Sequence, residues 1–256
     1  MKDDIKRLER IIVSQNKKLE LMRERYFDIH SAMIRTFKYH IEDLDPSISP
    51  IEILNNNQEK TIIAFSGMMT QLGMPRAEFF KTLSLHDHIN VLFIKDFKQS
   101  WYLNGLLGLT NNVEETTEFI KQIIPVETKK IITLGTSSGG YAALLFAELL
   151  QADTSIAFAP QTFLNQEQCE HFKSFDSELK NLNFSEYSNL KDILENKSSK
   201  TQHNVYFCNQ NKRDYIHAYN IKKVSTIHSF DCTSHNIAKI LKERNILDKI
   251  LKSHIL

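Results

Sequence analysis

Glycine and proline are both scarce in this chain of 256 residues, which contains seven of the first and five of the second. So little of either excludes a collagenous or a low-complexity, disordered class. Long apolar runs are missing too: the longest, Tyr141 to Ala147, falls far short of a membrane span. The N-terminus is charged and shows no apolar core of a secretory signal. Nor is charge of one sign in excess, since 32 Lys and Arg against 31 Asp and Glu leave a formal net charge of +1. No global field therefore draws the protein to nucleic acid or to an anionic membrane. Cysteine is limited to Cys169, Cys208 and Cys232, odd in number and at no metal-ligand spacing, which argues against a disulfide framework. Cys208 falls on a predicted core strand and is expected to be a small buried hydrophobe. These absences predict a cytoplasmic, reducing setting, with neither a membrane span nor a nucleic-acid partner. What remains, 41% hydrophobic and 25% charged, is ordinary for a globular chain that buries a core.

Three of the seven glycines are concentrated in one hexapeptide, Gly135-Thr136-Ser137-Ser138-Gly139-Gly140. An apolar β-type run, Ile131-Ile132-Thr133-Leu134, leads into it, and the helix-type run Tyr141 to Ala147 leads out. Strand, G-x-S-x-G turn and helix make a nucleophile elbow, which lifts the Ser137 hydroxyl above the sheet edge. The turn is so tight that side chains two before and two after the serine would collide. A phosphate loop would need Lys and Ser or Thr after the glycines, where Tyr141 and Ala142 stand. The G-x-G-x-x-G of dinucleotide folds is absent. An ordinary strand-to-helix turn could carry the same glycines, so the partners of the serine decide.

A serine needs a base to take its proton, and the base needs an orienting carboxylate. On an elbow-type sheet these follow in the order acid, then histidine. Asn204 to Cys208 has the composition of a buried strand, and the polar loop after it delivers Asp214. Val224 to Phe230 is the next predicted strand, and the loop from Asp231 to Ser234 delivers His235 ahead of a final amphipathic helix. Both candidates lie beyond carboxyl ends of strands, where open parallel sheets build their sites. Asp231 competes as the acid, and Asp214 could instead cap a helix, as His235 could together with Ser234. The position of Asp214 after the penultimate strand favours it. His228 lies within a strand, His217 on a helix and His203 at the wrong end of the sheet, so none of them has the loop placement of a base.

Acyl transfer also needs backbone donors for the oxyanion. One is expected at the amide of Ser138, directly after the nucleophile. The second is expected at Gly67 or Met68, in the loop after the predicted strand Thr61 to Phe65, where glycine allows close approach. Chemistry of this kind requires no metal or organic cofactor.

Elbow, loop glycine, late Asp and late His together resemble the α/β-hydrolase superfamily, of serine-esterase type, over roughly residues 51 to 256. The resemblance implies Ser137 as nucleophile, His235 as base and Asp214 as orienting acid. The loop Ser66-Gly67-Met68 departs from the His-Gly-Gly-Gly run of many lipases and argues against lipase activity. A fainter likeness, to small hydrolases encoded among bacterial surface-polysaccharide genes, rests on three stretches. These are Phe65-Ser66-Gly67, Asp96 with Trp101-Tyr102, and Phe158-Ala159-Pro160-Gln161. It implies an acylated sugar or glycan as the ester substrate. Asp96, Trp101 and Tyr102, which follow a predicted strand's carboxyl end, either form an aromatic platform beside a carboxylate that suits a sugar, or are a core tryptophan and a turn-forming aspartate with their neighbour. The expected reaction is carboxylic ester hydrolysis through an acyl-serine. The alternatives are an acyltransferase using the same intermediate, or an inactive hydrolase fold serving as a scaffold component.

The predicted fold class is α/β: a mostly parallel sheet with helices on both faces, preceded by a long N-terminal helix. That helix, within 1–45, carries Ile5, Leu8, Ile12, Leu19, Met22, Tyr26, Ile29 and Met33 at alternating steps of three and four, with Gln15 the polar member of the seam. About four heptads of this kind support a coiled coil and a homo-oligomer. Ile11, Val13, Leu21 and Phe27 widen the stripe, as a helix lying on its own domain would require. Two prolines within Asp45 to Pro50 end the helix, and strand and helix signals then alternate through 51–256. A helix is expected from Pro75, and another from Glu114 to Ile124 capped by Asn111 or Asn112. The polar stretch 161–202, with scattered aromatics, is expected to form a small cap over the pocket.

Overall fold

The structure, a computed structural model, describes residues 2–36, 44–45, 48–68, 70–71, 74–75, 79–164, 186–195 and 200–255. Helix α1 (Lys2–Thr36) is followed by strands β1 (Ile51–Leu54) and β2 (Lys60–Phe65), then by the short strands β3 (Thr70–Gln71) and β4 (Met74–Pro75). Next come α2 (Phe80–Leu83), β5 (Asn90–Ile94), α3 (Val113–Ile123), β6 (Lys130–Thr136), α4 (Ser138–Leu149) and β7 (Thr154–Phe158). The chain ends in α5 (Leu190–Glu195), β8 (Gln202–Cys208), α6 (Lys212–Asn220), β9 (Thr226–Phe230), α7 (Ile237–Glu243) and α8 (Leu247–Ile255).

Seven strands form one sheet in the order β1-β5-β2-β6-β7-β8-β9. Only β1, at the edge, runs antiparallel to its neighbour. The strand succession reverses at β2, with β5 on one side and β6 on the other. That reversal opens a crevice beyond the carboxyl ends of β2 and β6, the usual site of ligands in such sheets.

Alternation along each strand divides the core in two. Ile63 and Phe65 of β2 and Leu92 and Ile94 of β5 face one side, against α4 and residues of α3 and α6. Ile62 and Ala64, with Val91 and Phe93, face the other side, against Leu83 of α2, Ile237 and Leu241 of α7 and Ile250 of α8. Helix α4 is buried all round from Gly139 to Ala147 because it lies under the sheet centre. Its near-continuous apolar run follows from that position.

The end of α1 docks on this body. Ile34 and His30 are buried, the His30 ring sits edge-on 4.9 Å from Phe97, and its Nε2 lies 2.6 Å from the Ile48 carbonyl. Gly108, at φ +72°, leaves room for Ile34, whose Cβ a side chain there would meet at 2.7 Å. Farther out on the helix, Ile12, Met22 and Ile29 are well exposed. No described helix is long and apolar enough to cross a membrane.

Three expectations change. Met74 and Pro75 form a two-residue strand paired with Thr70 and Gln71, since the fixed φ of proline suits an extended strand as well as a first helical turn. The described helix is Phe80–Leu83, and residues 76–78 lie outside the described residues. Helix α3 starts at Val113, and Asn112 is its cap, accepting from the Glu115 amide at 2.8 Å. Cys208 and Cys232 are joined in a disulfide, bridging the end of β8 to the residues just past β9, so Cys208 is buried but is not a free thiol. Most of the expected cap, residues 165–185 and 196–199, lies outside the described residues, as does Met69. Its described flanks pack on α4, where the Tyr141 hydroxyl donates to the Tyr187 carbonyl.

Candidate active site

Ser137 occupies the turn between β6 and α4 with φ 57° and ψ −117°. This backbone is costly for a residue with a side chain, on the order of 1–3 kcal/mol. It persists because both sides are pinned: the Ser137 amide donates to the Phe158 carbonyl at 2.8 Å, and its carbonyl accepts from Tyr141 at 3.0 Å. A Cβ on Gly135 would lie 2.1 Å from the Gly139 carbonyl oxygen. One on Gly139 would lie 2.3 Å from the Phe65 carbonyl oxygen. The second glycine is therefore required by the neighbouring strand β2, not by the turn alone.

His235 and Asp214 converge on the serine. His235 Nε2 is 2.9 Å from Ser137 Oγ, and its Nδ1 is 2.7 Å from Asp214 Oδ1. The Asp214 side chain is 1% exposed and that of His235 42%, so the acid is sealed and the base faces the crevice. Asp214 sits in the first turn of α6, where helix amides favour negative charge. The cap of that helix is Asn211, whose Oδ1 accepts from the amides of Arg213 and Asp214. Asn236 likewise caps α7, which leaves His235 free of capping duty. Asp231 lies apart and accepts from Gln210 Nε2 at 2.5 Å. The two loops are further tied by Asn209 to Phe230, Gln210 to Cys232 and Asn211 to Thr233 hydrogen bonds, besides the disulfide.

A cavity of about 760 Å³ opens over these atoms, lined by Ser137, His235, Gly67 and Met68 together with Phe79, Phe80, Thr136 and Leu247. Ser138 heads α4, where first-turn amides have no partner within the helix. Lys81, Lys239 and Lys242 also line the cavity and are exposed. An adjoining cavity of about 370 Å³ shares Lys81, Thr82 and Lys242 and adds Lys252, His86 and His88. Sequence reasoning named none of these wall residues, which come from α2, the loop after it, α7 and α8 and carry no motif.

Asp96, Trp101 and Tyr102 do not line the cavity. All three are buried, with Trp101 and Tyr102 in left-handed backbone that turns them inward. Asp96 Oδ2 accepts from the amides of Ser100 at 2.7 Å and Tyr102 at 3.0 Å. The Tyr102 hydroxyl lies between the carbonyls of Ser66 and Ile94, at 2.9 and 3.0 Å, and so braces the loop that carries Gly67. They are supports of the site and offer no platform for a sugar. A residue that was not expected there does reach the serine: Gln161 Nε2 donates to Ser137 Oγ at 2.8 Å. Its sequence signals are its place just past β7, the strand beside the elbow strand, and its membership of the Phe158-Ala159-Pro160-Gln161 stretch, to which no role was given.

Next to Gln161, the Thr162 amide donates to His217 Nδ1 at 3.1 Å, and the Thr162 hydroxyl donates to the His217 carbonyl at 2.7 Å. Burial, and then the charges of Arg213 and His235, push the His217 pKa down to about 4. Its ring remains neutral and serves as an anchor.

No family model matches the sequence, and no curated protein matches it. Solved structures do, at the level of the fold. The capsule O-acetyltransferase of Neisseria meningitidis serogroup A is 20% identical, with a TM-score of 0.62 over 79% of this chain and 91% of that one. The same enzyme in complex with CoA aligns at 18% identity and a TM-score of 0.60, over 81% and 92%. An α/β-hydrolase enzyme from a sediment metagenome of the Mar Chica lagoon, Morocco, aligns at 14% identity and a TM-score of 0.53, over 80% and 96%. The fold is that of the α/β hydrolases.

Proposed function

We propose that this chain cleaves a carboxylic ester through an acyl-serine intermediate. The observation that carries the reading is the continuous contact from Ser137 Oγ through the His235 ring to the sealed carboxylate of Asp214. As Oγ bonds to the acyl carbon, its proton passes to His235 Nε2 and the carbonyl electron pair moves onto oxygen. The amides of Ser138 and of Gly67 or Met68 receive that charge, and each such donor is typically worth about 10²–10³ in rate. His235 then protonates the leaving alcohol, and water repeats the sequence on the acyl group. Asp214 holds Nδ1 protonated so that Nε2 is the acceptor. A fluorophosphonate probe tests this without knowledge of the substrate: the wild type is expected to label and Ser137→Ala to remain unlabelled. Undiminished labelling of the variant would refute Ser137 as nucleophile.

A second reading, transfer of the acyl group to an acceptor hydroxyl of a glycan, is favoured by the lysines around the cavity. Their charge suits a phosphate-bearing acyl donor, and one fold neighbour is a capsule O-acetyltransferase solved with CoA. Thiol release from an acyl-CoA that rises on adding an acceptor glycan would favour transfer over hydrolysis. The exposure of Ile12, Met22, Tyr26 and Ile29 along the seam of α1 supports pairing with a second copy of the chain.

A further inference from the structure

Gln161 is 2% exposed and stands between the Trp101 indole, whose hydrogen-bonding character is fixed, and the Ser137 hydroxyl. Trp101 Nε1 lies 3.3 Å from one end of its amide and Ser137 Oγ 2.8 Å from the other. An indole N–H can only donate, so the end facing Trp101 is the carbonyl oxygen and the end facing Ser137 is the NH₂. The backbone on either side is fixed as well. Ala159, at φ 43°, turns the chain back over the elbow after β7, and Thr162 is held to His217 through both its amide and its hydroxyl.

We infer that Gln161 is a further catalytic residue, whose amide, oriented by Trp101, donates to Ser137 Oγ and directs the hydroxyl proton toward His235. The inference rests on the acyl-serine reading above. With one lone pair of Oγ engaged by Gln161, the geometry that remains favourable aims the serine O–H at Nε2, 2.9 Å away. No proton leaves Gln161. During attack the serine proton goes to His235 while the amide N–H supports the oxygen as it gains negative charge. Once the acyl group is in place, the lone pairs of Oγ are delocalised into the ester, which accepts weakly. In the second half of the reaction the amide N–H supports the same oxygen again, as it leaves the acyl carbon and takes its proton back from His235.

The test compares fluorophosphonate labelling rates of the wild type, Ser137→Ala, Gln161→Ala and Gln161→Glu, with thermal melts as a check on folding. Loss of the donor in Gln161→Ala is expected to slow labelling about 10- to 100-fold, the range for a hydrogen bond to a group that becomes charged. Gln161→Glu keeps the shape but offers Ser137 an acceptor that competes with His235 for its proton, so it is expected to label more slowly still. A residue that merely filled space would give the opposite order. Labelling of Gln161→Glu at the wild-type rate, or faster than Gln161→Ala, overturns the assignment, as does Gln161→Ala at the wild-type rate. If Gln161→Ala does not fold, the comparison of wild type with Gln161→Glu decides alone. A wild type that does not label at all would instead sink the acyl-serine reading itself.

Discussion

Asp96 is a carboxyl group held almost wholly out of water, with backbone amides as its partners. Burial pushes its pKa up from 3.8 to about 6, against the opposing pull of the Tyr102, Ser100 and Gln99 amides and the Lys98 charge. Because the folded value is the higher one, the native state binds this proton more tightly than the unfolded chain in the window between. Stability from this group is complete below the unfolded value and is lost as pH rises through about 6. Asp96→Asn removes that term. In melting experiments across the window, the variant is expected to gain on the wild type as pH rises; parallel curves would refute the assignment. The same residue marks the limit of sequence reading. Its place beyond a strand end was legible, but its inward turn depends on the positive φ of Gln99, Trp101 and Tyr102, none of them glycine. Ser137 was legible for the opposite reason, since its backbone demand is written in Gly135 and Gly139.

At the scale of elements, chain order alone pointed to the ends of β8 and β9 as the source of the acid and the base. What it could not convey was lateral contact: that Gln161 beyond β7 reaches the serine, and that β8 and β9 lie close enough to join Cys208 to Cys232. A second serine–histidine–acid set makes the same point. Ser155 Oγ lies 2.7 Å from His203 Nδ1, and His203 Nε2 lies 2.6 Å from Glu148 Oε1, near the amino ends of β7 and β8. Ser155 and His203 are buried and the Glu148 side chain is nearly so, and the set ties α4 to the sheet away from the crevice. His203→Ala takes the imidazole partner from both groups and is expected to destabilise by on the order of 3 kcal/mol. Urea unfolding measures that loss, while probe labelling per folded molecule is expected to be unchanged. A loss of labelling without a loss of stability would mean the set is not structural.

For the molecule as a whole, α1 is the feature whose chemistry the proposed reaction does not use. His30 and Ile34 anchor its end, whereas Ile12, Met22 and Ile29 lie 57%, 67% and 70% exposed. These three fall on the alternating three-and-four spacing, which a partner helix of identical sequence would match in register. The triple substitution to Glu is expected to convert an oligomer to a monomer in light scattering, with probe labelling retained. A wild type that is already monomeric at assay and at higher concentrations would refute the pairing.

The Cys208–Cys232 bond closes a ring of chain that contains Asp214 and ends three residues short of His235. The ring and the hydrogen bonds between its two ends thus carry carboxylate and imidazole on one cross-linked cartridge. Ser137 stands on a different pair of elements, outside the ring. The gap most open to adjustment is therefore the one between cartridge and Ser137, across which the proposed proton transfer runs.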